Sequence, residues 1–241
     1  MHQTMTGEPT VLEPGAEFLA RFGRHFAHEL NNPIGAISSA VFLIEDFMST
    51  GTDGSVQIEQ IQPFVESIRE ECDQLRELVQ EFVKFVSTDR VLALPLDLVE
   101  FLGARAAEMA REGLPVTFEE SRTPEMRQTA NILGDAGSLG TVLRLLTDNA
   151  VDRGAKYVRI GQPQTDDRQC LIHIRDNRQP QLSPEVAQQL FEVNFDRRNS
   201  GLGLKLPFIR KVIELHNGSI EAKSENGELD ICIRLPIVAS S

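Results

Sequence analysis

The sequence predicts an α+β chain, a helical hairpin followed by an α/β sandwich, and three observations carry this. Phe26, Leu30, Ile34, Ile37, Val41, Ile44 and Met48 recur every three or four residues, the period of one helix face. Ile61, Phe64, Ile68, Leu75, Leu78, Phe82 and Phe85 form a second such stripe, with Val65, Cys72, Val79 and Val86 beside it. Beyond Pro95 the pattern changes to helical stretches mixed with short alternating runs, such as Tyr157–Gly161 (YVRIG) and Cys170–Arg175 (CLIHIR).

Residues 1–15 read as a flexible leader that closes on Pro14-Gly15. Residues 16–88 hold the two stripes, joined by Ser49–Ser55, a loop by its Ser, Thr, Gly and Asp content. Two helices on a short loop make an antiparallel hairpin. A lone hairpin would leave much of this apolar surface in water, whereas two hairpins paired as a four-helix bundle bury it. A homodimer is therefore the default expectation, the alternative being a hairpin docked onto its own C-terminal domain. Ser87–Pro95 reads as a linker into a second region, residues 96–237. There Leu96–Glu112 is helix-like, Val116–Glu119 is a short strand, and Ile132–Gly134 leads into a helix over Ala136–Asp152. After the two alternating strands, Ser183-Pro184-Glu185 starts a helix that runs to about Phe191. Another helix follows Gly203 and stops at His216-Asn217-Gly218. Ser219–Ser224 and Leu229–Leu235 complete a mixed sheet with helices on one face.

With 36 acidic against 24 basic residues and no basic block, the net charge of -12 argues against a nucleic-acid partner. No apolar run approaches the ~20 residues that span a bilayer, and the polar start of the chain lacks a signal-peptide pattern. Cys72, Cys170 and Cys232 have neither metal-ligand spacing nor an even count, which fits a reducing, cytoplasmic setting. The expectation is a chain without membrane insertion, whose signal would come from a separate sensor protein.

The chemistry gathers first at His28-Glu29-Leu30-Asn31-Asn32-Pro33-Ile34. His28 lies two positions from both Phe26 and Leu30, and two residues turn a helix by about 200°. Its imidazole therefore faces away from the apolar stripe, where its neutral form is a competent nucleophile toward phosphorus. Glu29 is placed to orient the ring or take its proton. Asn32, one turn on, shares the face of His28 and is placed to hold a water. Pro33 has no amide proton and disturbs the preceding turn. His25, without a following carboxylate and amide, reads as background.

HELNNPI resembles the phosphoacceptor box of two-component sensor histidine kinases. By that resemblance His28 is the phosphoacceptor, Glu29 its acid–base partner, and Asn32 the residue used to dephosphorylate a partner. Downstream, Leu139–Asp152 (LGTVLRLLTDNAVD) resembles the N box of the kinase ATP-binding domain. There Asn149 matches the Mg²⁺-coordinating asparagine, and Leu145 stands where the family has a second one. IHIRDNRQPQ (Ile172–Gln181) occupies the place of the first glycine box. Asp176 matches the aspartate that meets the adenine amino group and Asn177 also fits, but Arg178 and Pro180 replace the two glycines. Phe191 and Phe195 resemble the F box. Gly201, Leu202, Gly203 and Leu204 match the second glycine box, after a short lid, DRRNS, whose Arg197 and Arg198 read either as surface charges or as phosphate contacts.

The resemblance implies a cytosolic kinase that uses ATP and Mg²⁺ to phosphorylate His28, then passes the phosphoryl group to a response-regulator receiver domain. The replaced glycines and short lid keep two alternatives open. One is an ATP-independent dimeric histidine phosphotransfer protein on a degenerate kinase fold. The other is a regulatory or phosphatase module that binds a kinase or receiver.

Overall fold

The computed structural model describes residues 14–50, 58–120, 130–166, 168–192 and 203–237. The chain divides into two compact units, one carrying the helical region as far as Phe82 and the other beginning at Val83.

The first unit holds α1 (Pro14–Thr50) and most of α2 (Ile58–Ser87). α1 begins on Pro14, where the missing N–H costs nothing, so the helix starts inside the expected leader. The joining residues 51–57 lie outside the described residues. α1 runs through Pro33 without a break. The cost there is one missing hydrogen bond to the carbonyl of Glu29, four residues back. The helices are antiparallel: Phe26 stacks on Phe82 at 4.7 Å between centroids, and Phe47 meets Phe64 at 5.8 Å. Ala40 and Leu78 are buried, but Ile34, Val41, Phe42, Met48, Val65 and Val79 remain exposed. One chain alone thus leaves much of its predicted apolar stripe uncovered.

In the second unit, β1 (Leu94–Asp97) pairs antiparallel with β3 (Asn131–Gly134). The main sheet runs in the order β2 (Val116–Glu119), β4 (Val158–Gly161), β6 (Gln169–Asp176), β8 (Glu228–Pro236) and β7 (Ser219–Glu225), with β5 (Gln164–Thr165) beside β6. β2 and β4 are parallel and the other pairs antiparallel, so the sheet is mixed as expected. β6 alternates strictly: Cys170, Ile172, Ile174 and Asp176 are buried, while Leu171, His173 and Arg175 are half-buried on the other face.

The buried face is covered by α3 (Leu98–Arg111), α4 (Ala136–Asp152) and α6 (Lys205–Leu215). Leu102, Val142, Leu146, Ile209 and Ile213 are 3% exposed or less in the shared core. The open face carries charge pairs instead: Arg159 with Glu228 and Glu119, His173 and Arg175 with Asp230, and Arg234 with Glu221. At the turn after α6, Gly218 is required, because a Cβ there would overlap the carbonyl oxygen of Arg234.

In this unit two helix boundaries differ from the sequence expectation, and one short strand was not expected. The helix expected from Leu96 starts at Leu98, because Leu94–Asp97 is used as a strand and the Asp97 carboxylate caps the N–H groups of Val99 and Glu100. α5 (Pro184–Gln188) stops before Phe191. Three-residue turns from Gln189 to Val186 and Leu190 to Ala187 tighten the chain and deliver Phe191 into the core. The two-residue β5 gave no periodic signal, being too short to alternate.

Candidate active site

His28 sits on the exposed face of α1, with its side chain 58% accessible, as the helix arithmetic required. Its Nδ1 lies 3.5 Å from Glu29 Oε1 and 3.4 Å from Asn32 Nδ2. These neighbours favour opposite tautomers. An Nδ1–H directed at Glu29 leaves the lone pair on Nε2, the nitrogen then free to attack. An Asn32 N–H donating to Nδ1 places the proton on Nε2 instead. One turn of helix thus brings together all three residues predicted for the phosphoacceptor box.

The second cluster is built from distant sequence. α4 places Asn149 on its surface, and β6 ends on Asp176, whose side chain is 1% exposed. Between them lies Arg178. Its Nε donates to Asp176 Oδ1 at 2.8 Å, one terminal nitrogen to Asp176 Oδ2 at 2.7 Å, and the other to Asn149 Oδ1 at 2.9 Å. The Arg178 backbone N–H also donates to Asp176 Oδ1, at 3.0 Å. A two-pronged guanidinium–carboxylate pair of this kind is the strongest common form of ion pair. The sequence marked position 178 as a lost glycine. It gave no sign that the replacing side chain would join Asp176 to Asn149, which requires knowing that the end of β6 faces α4.

Asn177 is engaged elsewhere: its Oδ1 accepts from the N–H groups of Lys156 (2.9 Å) and Tyr157 (3.2 Å), pinning the turn before β4. Leu145 is half-buried and packs against the core. Phe191 is a core residue at 4% exposure. Phe195, Arg197, Arg198, Gly201 and Leu202 lie outside the described residues. Gly203 has φ of 64°, a conformation that favours glycine. Leu204 follows as the N-cap of α6, buried and without a side-chain cap, and Pro207 removes one N–H from the first turn.

Sequence reading treated His216 only as part of a helix stop, but it ties two helices together. Its Nδ1–H donates to the Val212 carbonyl at 2.7 Å, and its Nε2 accepts from the Asp135 N–H at 3.0 Å. Asp135 caps α4 through Gly137 and Ser138 and accepts from the Leu92 N–H. These bonds, that of Ser138 foremost, hold its carboxyl below the ordinary carboxylate range. An open cavity of about 340 Å³ lies on another side of α4, lined by Lys84, Arg105, Glu108, Thr141, Arg144 and neighbours. It includes none of Asn149, Asp176 and Arg178. Among the described residues no group of three or more His, Cys, Asp or Glu side chains could hold a metal ion, and no helix is long and apolar enough to cross a membrane.

An antiparallel hairpin presenting an exposed histidine, followed by this mixed α/β sandwich, defines a phosphoacceptor domain joined to a kinase-type nucleotide-binding domain. A His Kinase A (phospho-acceptor) domain model matches residues 18–90, and a histidine kinase-, DNA gyrase B- and HSP90-like ATPase model matches residues 134–239. The chain has the two-domain core of a two-component sensor histidine kinase. It is 25% identical to the sensory histidine kinase/phosphatase NtrB of Vibrio alginolyticus over 236 residues, 89% of this chain and 61% of that protein. It is 25% identical to the sensor histidine kinase ZraS of Salmonella typhimurium over 223 residues, 88% of this chain and 44% of that one. The chain thus spans about half the length of the curated relatives it matches. Histidine kinase ThkA, solved in complex with response regulator protein TrrA, shares the fold with a TM-score of 0.66 at 17% identity, over 95% of this chain and 68% of that one. Acinetobacter baumannii histidine kinase AdeS gives 0.58 at 17% identity, over 87% and 98%.

Proposed function

We propose that this chain is a cytoplasmic histidine kinase core that autophosphorylates on His28 with ATP and hands the phosphoryl group to a receiver-domain aspartate of a response regulator. The observation that carries the reading is the exposed His28 imidazole, with Nδ1 facing Glu29 and Asn32, in a chain that also holds the acceptor pair Asn149 and Asp176. Glu29 is placed to accept from Nδ1–H when that tautomer forms and to offset the positive charge that grows on the ring as Nε2 forms its bond to phosphorus. Asn32 has the reach to hold a water beside His28 for the reverse, dephosphorylating step.

ATP with Mg²⁺ would supply an electrophilic γ-phosphoryl group and an ADP leaving group that departs with the electron pair of the broken bond. The donor set fits such a ligand in kind. Asp176 is a buried acceptor suited to an exocyclic amino group. Asn149 offers a neutral hard oxygen suited to Mg²⁺, and the start of α6 offers a favourable helix dipole to phosphates. Arg178 holds both acceptors in the structure described. The uncovered stripe on α1 and α2 supports a homodimer through a four-helix bundle.

The test is labelling with radioactive ATP and Mg²⁺. Wild type is expected to gain acid-labile, base-stable label that His28→Ala abolishes. An unlabelled wild type that also binds no nucleotide by calorimetry would overturn the kinase reading. The contacts of Arg178 favour a second reading, ATP-independent phosphotransfer through His28. Rapid transfer of label to His28 from a phosphorylated receiver, with no ATP present, would select it.

A further inference from the structure

We propose that Arg178 is an internal occupant of the nucleotide site, so that nucleotide enters only when its guanidinium is displaced. The inference rests on reading the Asn149–Asp176 pair as part of a nucleotide site. A carboxylate on the end of β6 and an amide oxygen on α4 converge on one cation, and the chain itself supplies it. Both oxygens of Asp176 are used, and the two side chains are 1% and 4% exposed. The guanidinium cannot leave by deprotonation, because arginine stays charged at all working pH values. It must swing out as a cation, leaving Asp176 buried and in need of a new partner.

This arrangement goes beyond the loss of a glycine. A chain with a bare position 178 would keep Asp176 and Asn149 unsatisfied until a ligand arrived. Here the pair is satisfied in advance, so the ligand-free state is the stabilised one. When the competent state is a minor population, apparent affinity falls by that fraction. If the guanidinium-out state is about a tenth of the population or less, apparent nucleotide affinity drops about tenfold or more. A plain structural clamp predicts the opposite pattern: removing Arg178 would weaken the fold and improve no binding.

The experiment is calorimetry of the full chain with Mg²⁺-ADP, comparing wild type with Arg178→Gly and Arg178→Gln, with folding checked by circular dichroism. Arg178→Gly is expected to bind about tenfold tighter or more than wild type. Arg178→Gln, which removes the charge but keeps a donor for Asp176, is expected to fall between them and serves if the glycine variant does not fold. In wild type, saturating Mg²⁺-ADP is expected to shift the Arg178 Nε–H resonance in heteronuclear NMR spectra. A folded variant that binds no tighter than wild type, or an Arg178 resonance unmoved at saturation, overturns the proposal. So does the absence of binding in every folded form. Equal affinities with a labelled His28 remove this proposal and leave the kinase reading standing. A tenfold gain in Arg178→Gly with wild type unlabelled by ATP supports this proposal and removes that reading.

Discussion

The two units solve opposite problems. The hairpin has too much apolar surface for its own interior and leaves Phe42 at 65% and Met48 at 63% exposure. The α/β unit closes its core within itself, with Ile160, Ile209, Val212 and Ile213 at 0%. The reactive groups follow the same division. His28, Glu29 and Asn32 share one exposed helical turn, whereas Asn149, Asp176 and Arg178 are drawn from a helix and a strand end and are packed inward. The first site is open to solvent; the second is closed and partnered by its own chain. The hairpin holds its chemistry in the open, and the sandwich holds its own against a side chain of the same fold.

The largest test of that contrast is at the exposed end. His28→Ala should remove all phosphoryl label from the chain while leaving its circular dichroism unchanged, because the side chain touches no core. Next, Phe42→Asp should shift the chain from dimer to monomer in sedimentation at micromolar concentration. A variant that remains dimeric would mean that this face is not the interface. Packing offers the third test. Ile213→Ala should cost about 2–5 kcal/mol in denaturant unfolding, while Ile58→Ala, at 81% exposure in the hairpin, should change stability by no more than about 0.5 kcal/mol. Equal costs would break the comparison.

The smallest test concerns the cap of α4. Asp135→Ala should cost about 1 kcal/mol at neutral pH. The folded carboxyl titrates below its ordinary value of 3.8. Its contribution is therefore fully present above that value and is lost as pH falls through the lower folded one. Unfolding curves at about pH 6 and about pH 3 should show the gap between wild type and variant closing on the acid side. Thiol chemistry adds a simple control: Cys72 is exposed, whereas burial pushes the Cys170 thiol up to about 12. A thiol reagent should therefore take Cys72 first in the folded chain.

How legible each site was follows from the same contrast. The face of His28 could be read because a helix converts spacing into direction, and Glu29 and Asn32 lie within four positions. The sheet strands could be read because burial on one face writes a two-residue alternation into β4 and β6. The Arg178 bridge could not be read, since it joins position 178 to position 149 across a fold that must already be assembled. Leu94–Asp97 was unreadable for a similar reason: its strand character comes from pairing with Asn131–Gly134, not from its own composition. Asn177 looked like a ligand residue by motif but was claimed by the backbone of Lys156 and Tyr157 once β6 ended beside them.

The tie made by His216 has a consequence for which substitutions the chain can tolerate. A single rigid ring offers a donor to Val212 and an acceptor to Asp135. No amide side chain carries both functions at that separation. Asparagine has the length to copy the Nδ1 side and would abandon Asp135; glutamine has the length to copy the Nε2 side and would abandon Val212. The asparagine exchange orphans the Asp135 N–H beside a position only 3% exposed, whereas the glutamine exchange leaves the Val212 carbonyl its bond from the residue 216 backbone N–H. In the vocabulary of mutational scanning, position 216 is the restrictive one, glutamine being its mildest exchange, whereas its neighbour Asn217, an exposed αL residue at φ of 57°, should accept glycine without complaint.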